Sequence, residues 1–342
     1  MPVNAHQHDP SGGANKTQSK PSAGGGNACP VSLLQEIDKM AITRYISNSF
    51  PGITFMKDIL FLSDLDNCLF QSLRANSAGV HPMTFKASGE AHCFATEAQN
   101  TLFKLLKPRA FCIAVTARTP DQMQRTRGWA PEHVNQLALT DHGATLLYRN
   151  IDDSPIWTPL PAWSDAYRDD ARVCEAPLEH DLDKLSAFLP TLFLPAHAKA
   201  KIDLSYSFGG DVPFYITLQI KNLKAEETAK VMQIVQLQLE PVLKTLQGTY
   251  IQHQNDYTLA FWPTYVSKEK AARRLIEALK TGLGDERFDQ AARELGDIAL
   301  ILTAGDSHTD VPFMRLGDFM LTPAVSPIAE QAGQHAQRHM NI

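Results

Sequence analysis

Two acidic residues one position apart, Asp64 and Asp66 in the run Phe-Leu-Ser-Asp-Leu-Asp-Asn-Cys-Leu-Phe, are a pair whose types and spacing could do chemistry. In an extended segment residues i and i+2 point the same way, so both carboxylates can face one site. Adjacent carboxylates repel each other, a divalent cation relieves that repulsion, and hard oxygen ligands of this kind suit Mg²⁺. Alone, such a pair just as readily forms a turn or caps the next helix. Three other segments share this ambiguity. Thr116 in Val-Thr-Ala-Arg offers a hydroxyl where an apolar run ends, as a helix cap also would. Lys268 and Lys270 open a helical pattern, where positive charge opposes the helix dipole, although a solvated face would also carry them. Asp306 and Asp310 belong to Gly-Asp-Ser-His-Thr-Asp, in which Gly305 lets the backbone turn sharply beside a ligand.

The elements that must position these residues can be read from periodicity. Short apolar runs at 59–62, 111–115, 136–139 and 298–302 are too short for core helices and do not alternate, as expected of parallel strands covered on both faces. Helical patterns at 96–106 and 120–127 lie between them, which indicates a doubly wound, Rossmann-like α/β domain. Ligands of such sheets bind at the carboxyl edge, and all four ambiguous segments fall there. Between them, residues 201–208, 214–220 and 257–261 alternate apolar with polar, as half-buried strands do, and helices are expected near 181–188 and 225–239. This middle part is expected to form an open-faced α+β unit.

In order and in supporting element, the segments DLDNCL, VTAR, VSKEKA and GDSHTD resemble the four motifs of the haloacid dehalogenase (HAD) superfamily. Asp64 and Thr116 are 52 residues apart and Thr116 and Lys268 are 152 apart, so only the second interval has room for a small inserted domain. That placement, with Asp141-His142-Gly143-Ala144 and Leu259-Ala260-Phe261-Trp262-Pro263, resembles the Cof-type and sucrose-phosphatase-like branch. Cys68, Ala117 and Thr309 stand where the branch commonly has Thr, Gly and Asn. The resemblance spans residues 58–332. It implies a HAD-like catalytic core at 31–150 and 265–342 and an α+β cap domain at 151–264.

The same resemblance implies a chemistry. Asp64 would attack phosphorus to give an aspartyl phosphate, and Asp66 would protonate the leaving group and then activate water. Mg²⁺ would be held by the carboxylates of Asp64 and Asp306 and the backbone carbonyl of Asp66, with Asp310 a further ligand or an outer partner. Thr116 and Lys268 would hold the phosphoryl oxygens; Lys268 is preferred to Lys270 because the family places Ala three residues after its lysine, as Ala271 is here. Arg118 would reach substrate or cap, or form a surface ion pair. Residues 71–92 would form a mobile loop after the first motif. A small phosphorylated metabolite is the expected substrate, with transfer to a second hydroxyl (a phosphomutase or phosphotransferase) and a catalytically silent binding module as alternatives.

Composition bounds the remainder. With 342 residues, 44% of them hydrophobic, the chain can bury a large core. A formal charge of −5 gives no global field for nucleic acid or an anionic membrane, so neither is an expected partner. Five widely spaced cysteines without CxxC pairs, and a start with no basic-then-apolar pattern, lead to the expectation of a cytoplasmic protein. Residues 1–30 are too poor in large apolar side chains to repay ordering and are expected to be a flexible tail, followed by an amphipathic helix at 31–46. Oligomeric state leaves no mark in the sequence.

Overall fold

The computed structural model describes residues 57–207, 212–255 and 257–340. The expected tail, the helix at 31–46 and the Gly209-Gly210-Asp211 stretch between the expected strands 201–208 and 214–220 lie outside these residues.

The chain begins with β1 (Ile59–Ser63) and continues through β2 (Gln71–Ser72), β3 (His81–Phe85), β4 (Ala91–Ala95) and the helix Glu97–Leu106. Next come β5 (Ala110–Val115), a short helix Pro120–Gln124, β6 (Asn135–Thr140), β7 (Thr145–Asn150) and β8 (Ser154–Pro159). The long helix Pro161–Phe188 leads to β9 (Lys199–Ser207), β10 (Val212–Lys221), the helix Ala225–Leu243, β11 (Tyr250–Asn255) and β12 (Thr258–Pro263). Helices Lys268–Thr281 and Glu286–Leu295, β13 (Leu300–Ala304), the short helix Val311–Met314, β14 (Phe319–Leu321) and a helix Pro327–Met340 complete it.

Seven strands form one sheet in the order β14-β13-β1-β5-β6-β7-β8. The first five are parallel, and β7 and β8 add antiparallel. The continuously apolar runs are explained by two cores rather than one. Leu60, Leu62, Phe111, Ile113, Val115, Leu137 and Leu139 face Leu275 and Ile276 of Lys268–Thr281 and Phe288 of Glu286–Leu295. Their neighbours Phe61, Cys112, Ala114 and Ala138 face Phe103, Met123 and Trp129 on the other side. Side chains alternate across a strand, so a strand sandwiched by helices must be apolar at every position. The core is therefore a doubly wound α/β sheet. β13 starts two residues later than the apolar run at 298–302 implied, because Leu300 is the residue that pairs with Ile59.

A second sheet, order β11-β12-β10-β9, is wholly antiparallel. Ile216, Leu218, Ile220, Leu259 and Phe261 pack on one face beneath Leu178, Leu185, Val231, Met232 and Val235 of the two long helices. Asp181 on the first of these helices is fully buried. It accepts hydrogen bonds from the N–H groups of Gln247 (2.9 Å) and Gly248 (2.8 Å) and from the Tyr250 hydroxyl (2.7 Å), tying the start of β11 to the helix.

Three expectations are corrected. Residues 71–92 do not form a loop: β2, β4 and β3 make a three-stranded antiparallel sheet that buries Met83, Thr84, Cys93 and Ala95, and β3 turns into β4 through Gly89 at φ +85°. Residue 151 does not begin the inserted unit, since β8 pairs with β7 in the large sheet and the second sheet is built only after Pro159. The helix expected at 181–188 starts at Pro161 and carries Pro177 in its interior, the residue that made its first half look non-helical. Among the described residues, no helix is long and apolar enough to cross a membrane.

Candidate active site

The carboxyl edge of the parallel strands gathers four loops. Asp64 follows β1 directly, its N–H donating to Ala304 O (2.8 Å), so the residue is still locked to β13 as it enters the site. It is only 5% exposed. Thr116 follows β5, with its N–H on Leu139 O (2.9 Å) and its hydroxyl accepting from the Arg118 N–H (3.1 Å). Asp306 and Asp310 follow β13 across Gly305, where a Cβ would lie 2.6 Å from the Cβ of Asp310 and 2.7 Å from Met314 Sδ. Only glycine lets that loop fold so tightly on itself.

The fourth loop, 141–143 after β6, has three consecutive residues at positive φ: Asp141 (50°), His142 (55°) and Gly143 (103°). A Cβ on Gly143 would sit 2.2 Å from the Cβ of Ala271, so this loop is the seat against which the helix Lys268–Thr281 docks. Ser267 caps that helix, accepting from the Lys270 N–H (3.2 Å), and Lys268 is its first residue. The docking brings Lys268 Nζ to 2.6 Å from Asp64 Oδ1 and 2.7 Å from Asp310 Oδ1. Lys270 instead donates to the carbonyl of Thr264 (2.6 Å) at the surface.

Asp64, Asp306 and Asp310 each place a carboxylate oxygen within 4.8 Å of the others. One ammonium does not balance three buried carboxylates. Burial pushes Asp64 well above the usual carboxylate range; Lys268 opposes this, while Asp310 and Asp306 add to it. Asp306 is raised to about 7, first by burial and then by Asp310. Asp310 is held low, because Lys268 and the donors of Ser307 outweigh its burial. Lys268 is raised by Asp310 and Asp64 against the effect of its own burial. Hard oxygen donors with surplus negative charge fit a small divalent cation.

Asp66 is separate from this cluster. Arg118 grips its carboxylate with two bonds, Nε to Oδ2 (2.7 Å) and Nη2 to Oδ1 (2.6 Å), while the guanidinium lies 5.0 Å from the Phe70 ring centroid. The guanidinium expected to reach substrate or cap, or to form a surface pair, is thus mostly buried and committed to Asp66.

No protein-family model matches the sequence, and no curated protein matches it. Among solved structures the chain is similar to the C-terminal domain of trehalose-6-phosphate phosphatase from C. albicans, with 14% identity, 76% of this chain and 74% of that one covered, and a TM-score of 0.43. It is also similar to an N-terminally truncated IMP-nucleotidase from Plasmodium falciparum (14% identity, 82% and 70% covered, TM-score 0.46). A third similar structure is the sucrose-phosphatase of Synechocystis (16% identity, 76% and 80% covered, TM-score 0.36).

Further lining residues lie opposite the four loops. The face of the second sheet not covered by helices, carrying Tyr215, Thr217, Gln219, His253, Thr258 and Trp262, lines a cavity of about 840 Å³ whose floor is the acidic cluster. His142, from the positive-φ loop, stacks on Trp262 with ring centroids 3.8 Å apart and is held well below the usual histidine range, chiefly by burial. Thr84, Lys86, His92 and Cys93 of the three-stranded sheet line another side. The turn after β2 meets the part of the chain that carries the second sheet through Arg74, which donates to Thr228 Oγ1 (3.3 Å) on the helix Ala225–Leu243 and lies over the ring of Tyr257 (5.1 Å), the residue before β12.

Proposed function

We propose that this chain is a Mg²⁺-dependent HAD-type phosphatase that hydrolyses a small phosphomonoester through an aspartyl phosphate on Asp64. The observation that carries this is the bond between Asp64 and Lys268 at 2.6 Å, at the floor of a cavity and beside two further buried carboxylates. A phosphate monoester is an anion, so an anionic nucleophile can approach it only where fixed positive charge is concentrated.

Asp64 attacks phosphorus and the bond from phosphorus to the ester oxygen breaks. The leaving oxygen takes a proton from Asp66, which then accepts one from the water that attacks the acyl phosphate, so inorganic phosphate leaves and both carboxyl groups are restored. Arg118 orients Asp66 through both oxygens, and each oxygen keeps a lone pair for the transferred proton. Lys268 and the Thr116 hydroxyl hold the phosphoryl oxygens. Asp64, Asp306 and the Asp66 carbonyl would hold Mg²⁺, with Asp310 a ligand or an outer partner bonded to Lys268. When bound, the ion would supply the positive charge that Lys268 alone does not provide. The second sheet covers the site, excluding water and meeting the leaving group.

The reading includes a cytoplasmic setting, supported by the unpaired Cys68, Cys93, Cys112 and Cys174, and a small-molecule rather than a nucleic-acid or membrane partner. The test is phosphate release from a chromogenic ester with and without Mg²⁺. Wild type is expected to release phosphate without an added acceptor alcohol and Asp64→Asn to release none. Equal release by both proteins would overturn the assignment of the nucleophile, and release only in the presence of an acceptor would make the enzyme a phosphotransferase.

A further inference from the structure

A chain of hydrogen bonds runs from Asp310 through Ser307 and Thr309 to His253, the residue by which β11 touches the catalytic loop, and the direction of every bond in it can be worked out. Asp310 is held as a carboxylate by donors on both oxygens: Lys268 Nζ lies 2.7 Å from Oδ1, and the N–H groups of Asp306 and Ser307 donate to Oδ2 at 3.3 and 3.1 Å. An ionised carboxylate only accepts, so Ser307 Oγ, 2.8 Å from Asp310 Oδ2, gives it its one proton. The 2.8 Å contact between Ser307 Oγ and Thr309 Oγ1 must then use the proton of Thr309. Thr309 Oγ1 is left with lone pairs for His253 Nδ1 at 3.1 Å, so Nδ1 carries the hydrogen.

A neutral imidazole has a single N–H, and with Nδ1 protonated its Nε2 is a bare acceptor. The ring is kept neutral by burial first and by Lys268 second, with Asp310 pulling the other way. No described residue bonds Nε2, Nε2 is not sealed inside the protein, and His253 lines the cavity. The lining residues Thr217, Gln219 and Thr258 come from the same sheet.

We infer that His253 Nε2 accepts a hydrogen bond from the leaving group, so that the preferred phosphate ester is one whose alcohol carries a further O–H or N–H donor. This rests on the phosphatase reading above and assigns a specificity-determining residue to it. The hydrogen-bond chain makes this selective in one direction. A substrate acceptor at the same place would meet a second lone pair, and a substrate with no polar group would leave Nε2 desolvated and unpaired.

Two measurements on the full chain test this. Matched esters of one carbon skeleton, glycerol phosphate against propyl phosphate and inositol monophosphate against cyclohexyl phosphate, are compared by kcat/KM, with a chromogenic ester as control. Wild type should favour the hydroxylated member of each pair by about tenfold or more. His253→Asn, whose amide can keep the bond to Thr309 but offers nothing at the Nε2 position, should lose most of that ratio. His253→Gln, whose amide reaches the Nε2 position, should retain part of it. Independently of turnover, the two-bond ¹H–¹⁵N correlations of histidine-labelled protein report the tautomer, with His253 assigned by its loss in His253→Asn.

A proton on Nε2 overturns the inference, as does a wild type without preference or a ratio unchanged in His253→Asn. If the chromogenic ester is cleaved in those cases, the phosphatase reading stands and only the role of His253 falls. If no ester is cleaved at all, the phosphatase reading fails, and the spectrum still decides the tautomer.

Discussion

Asp181 and the cluster of Asp64, Asp306 and Asp310 are both buried, and they are buried in opposite ways. Asp181, under the second sheet, is surrounded by donors: two backbone N–H groups, the Tyr250 hydroxyl and His180 Nδ1 at 3.1 Å. Burial alone would raise its pKa, but these bonds prevail and hold it below the usual range. The cluster of Asp64, Asp306 and Asp310 has one lysine among three carboxylates, and two of the three are pushed up. Burial is common to both places, so burial does not mark function. The marker is whether the protein's own donors settle the charge. Where they do, the aspartate is a structural tie; where they leave a surplus, the site is built for something that arrives with positive charge.

The comparison can be broken most severely at Asp64. Asp64→Asn is expected to lower the rate of phosphate release by about 10³-fold or more. Its thermal unfolding midpoint should change little, because removing one of three crowded carboxylates relieves repulsion while Lys268 keeps Asp310. A large loss of stability would mean that this cluster is a structural tie as well.

Asp181→Asn should do the reverse. It replaces an anion that accepts several hydrogen bonds, so a loss of about 2–3 kcal/mol in chemical denaturation is expected. Phosphate release per folded molecule should stay near wild type. Gly143→Ala lies between these cases: its φ of +103° and the Cβ of Ala271 at 2.2 Å force the helix that carries Lys268 outward. About 1–3 kcal/mol of stability should be lost together with activity. Ala271→Gly in the same chain should recover part of both.

The effect of pH is the sharpest in sign. In metal-free protein the folded pKa of Asp306 is about 7, above its unfolded value of 3.8, so its contribution to stability is full below pH 3.8 and is lost as pH rises toward 7. For Asp181 the folded pKa is depressed, so its contribution is present above pH 3.8 and is lost as pH falls through the folded value. Denaturation midpoints measured from pH 4 to 7 should therefore decline in wild type, decline less in Asp306→Asn, and flatten when Mg²⁺ is added. A slope unaffected by Asp306→Asn would show that its charge is already compensated.

Much of the carboxyl edge could be read from sequence, because buried parallel strands must be apolar throughout and whatever follows them must lie at one edge. Asp64, Thr116, Asp306 and Asp310 could be singled out in that way, and Lys268 as a lysine opening a helical pattern. Of the two lysines, Lys268 lies beside Asp64 and Lys270 on the Thr264 carbonyl, and the contact between Ala271 and Gly143 gives a physical reason for that alanine. The other wall was much less visible. β11 is Tyr-Ile-Gln-His-Gln-Asn, too polar to stand out as a strand, so His253 had no place in the fold until its pairing with β12 was seen. β3 and β4 were hidden by Pro82, Gly89 and their brevity, and β8 by Pro155 and Pro159. That Arg118 binds Asp66 depends on the turn from Asp66 to Phe70, which no spacing rule encodes.

The strict alternation of β10 has a consequence for how this protein can change. Ile216, Leu218 and Ile220 hold the second sheet to its helices, while Thr217 and Gln219, interleaved with them, line the cavity. Anchoring and recognition thus occupy opposite faces of one strand, and a substitution on one face leaves the other undisturbed. On the proposed function, new leaving groups can be sampled along that strand at little cost in stability, while the edge that carries Asp64 stays fixed. The wall is free to diversify because the floor is not.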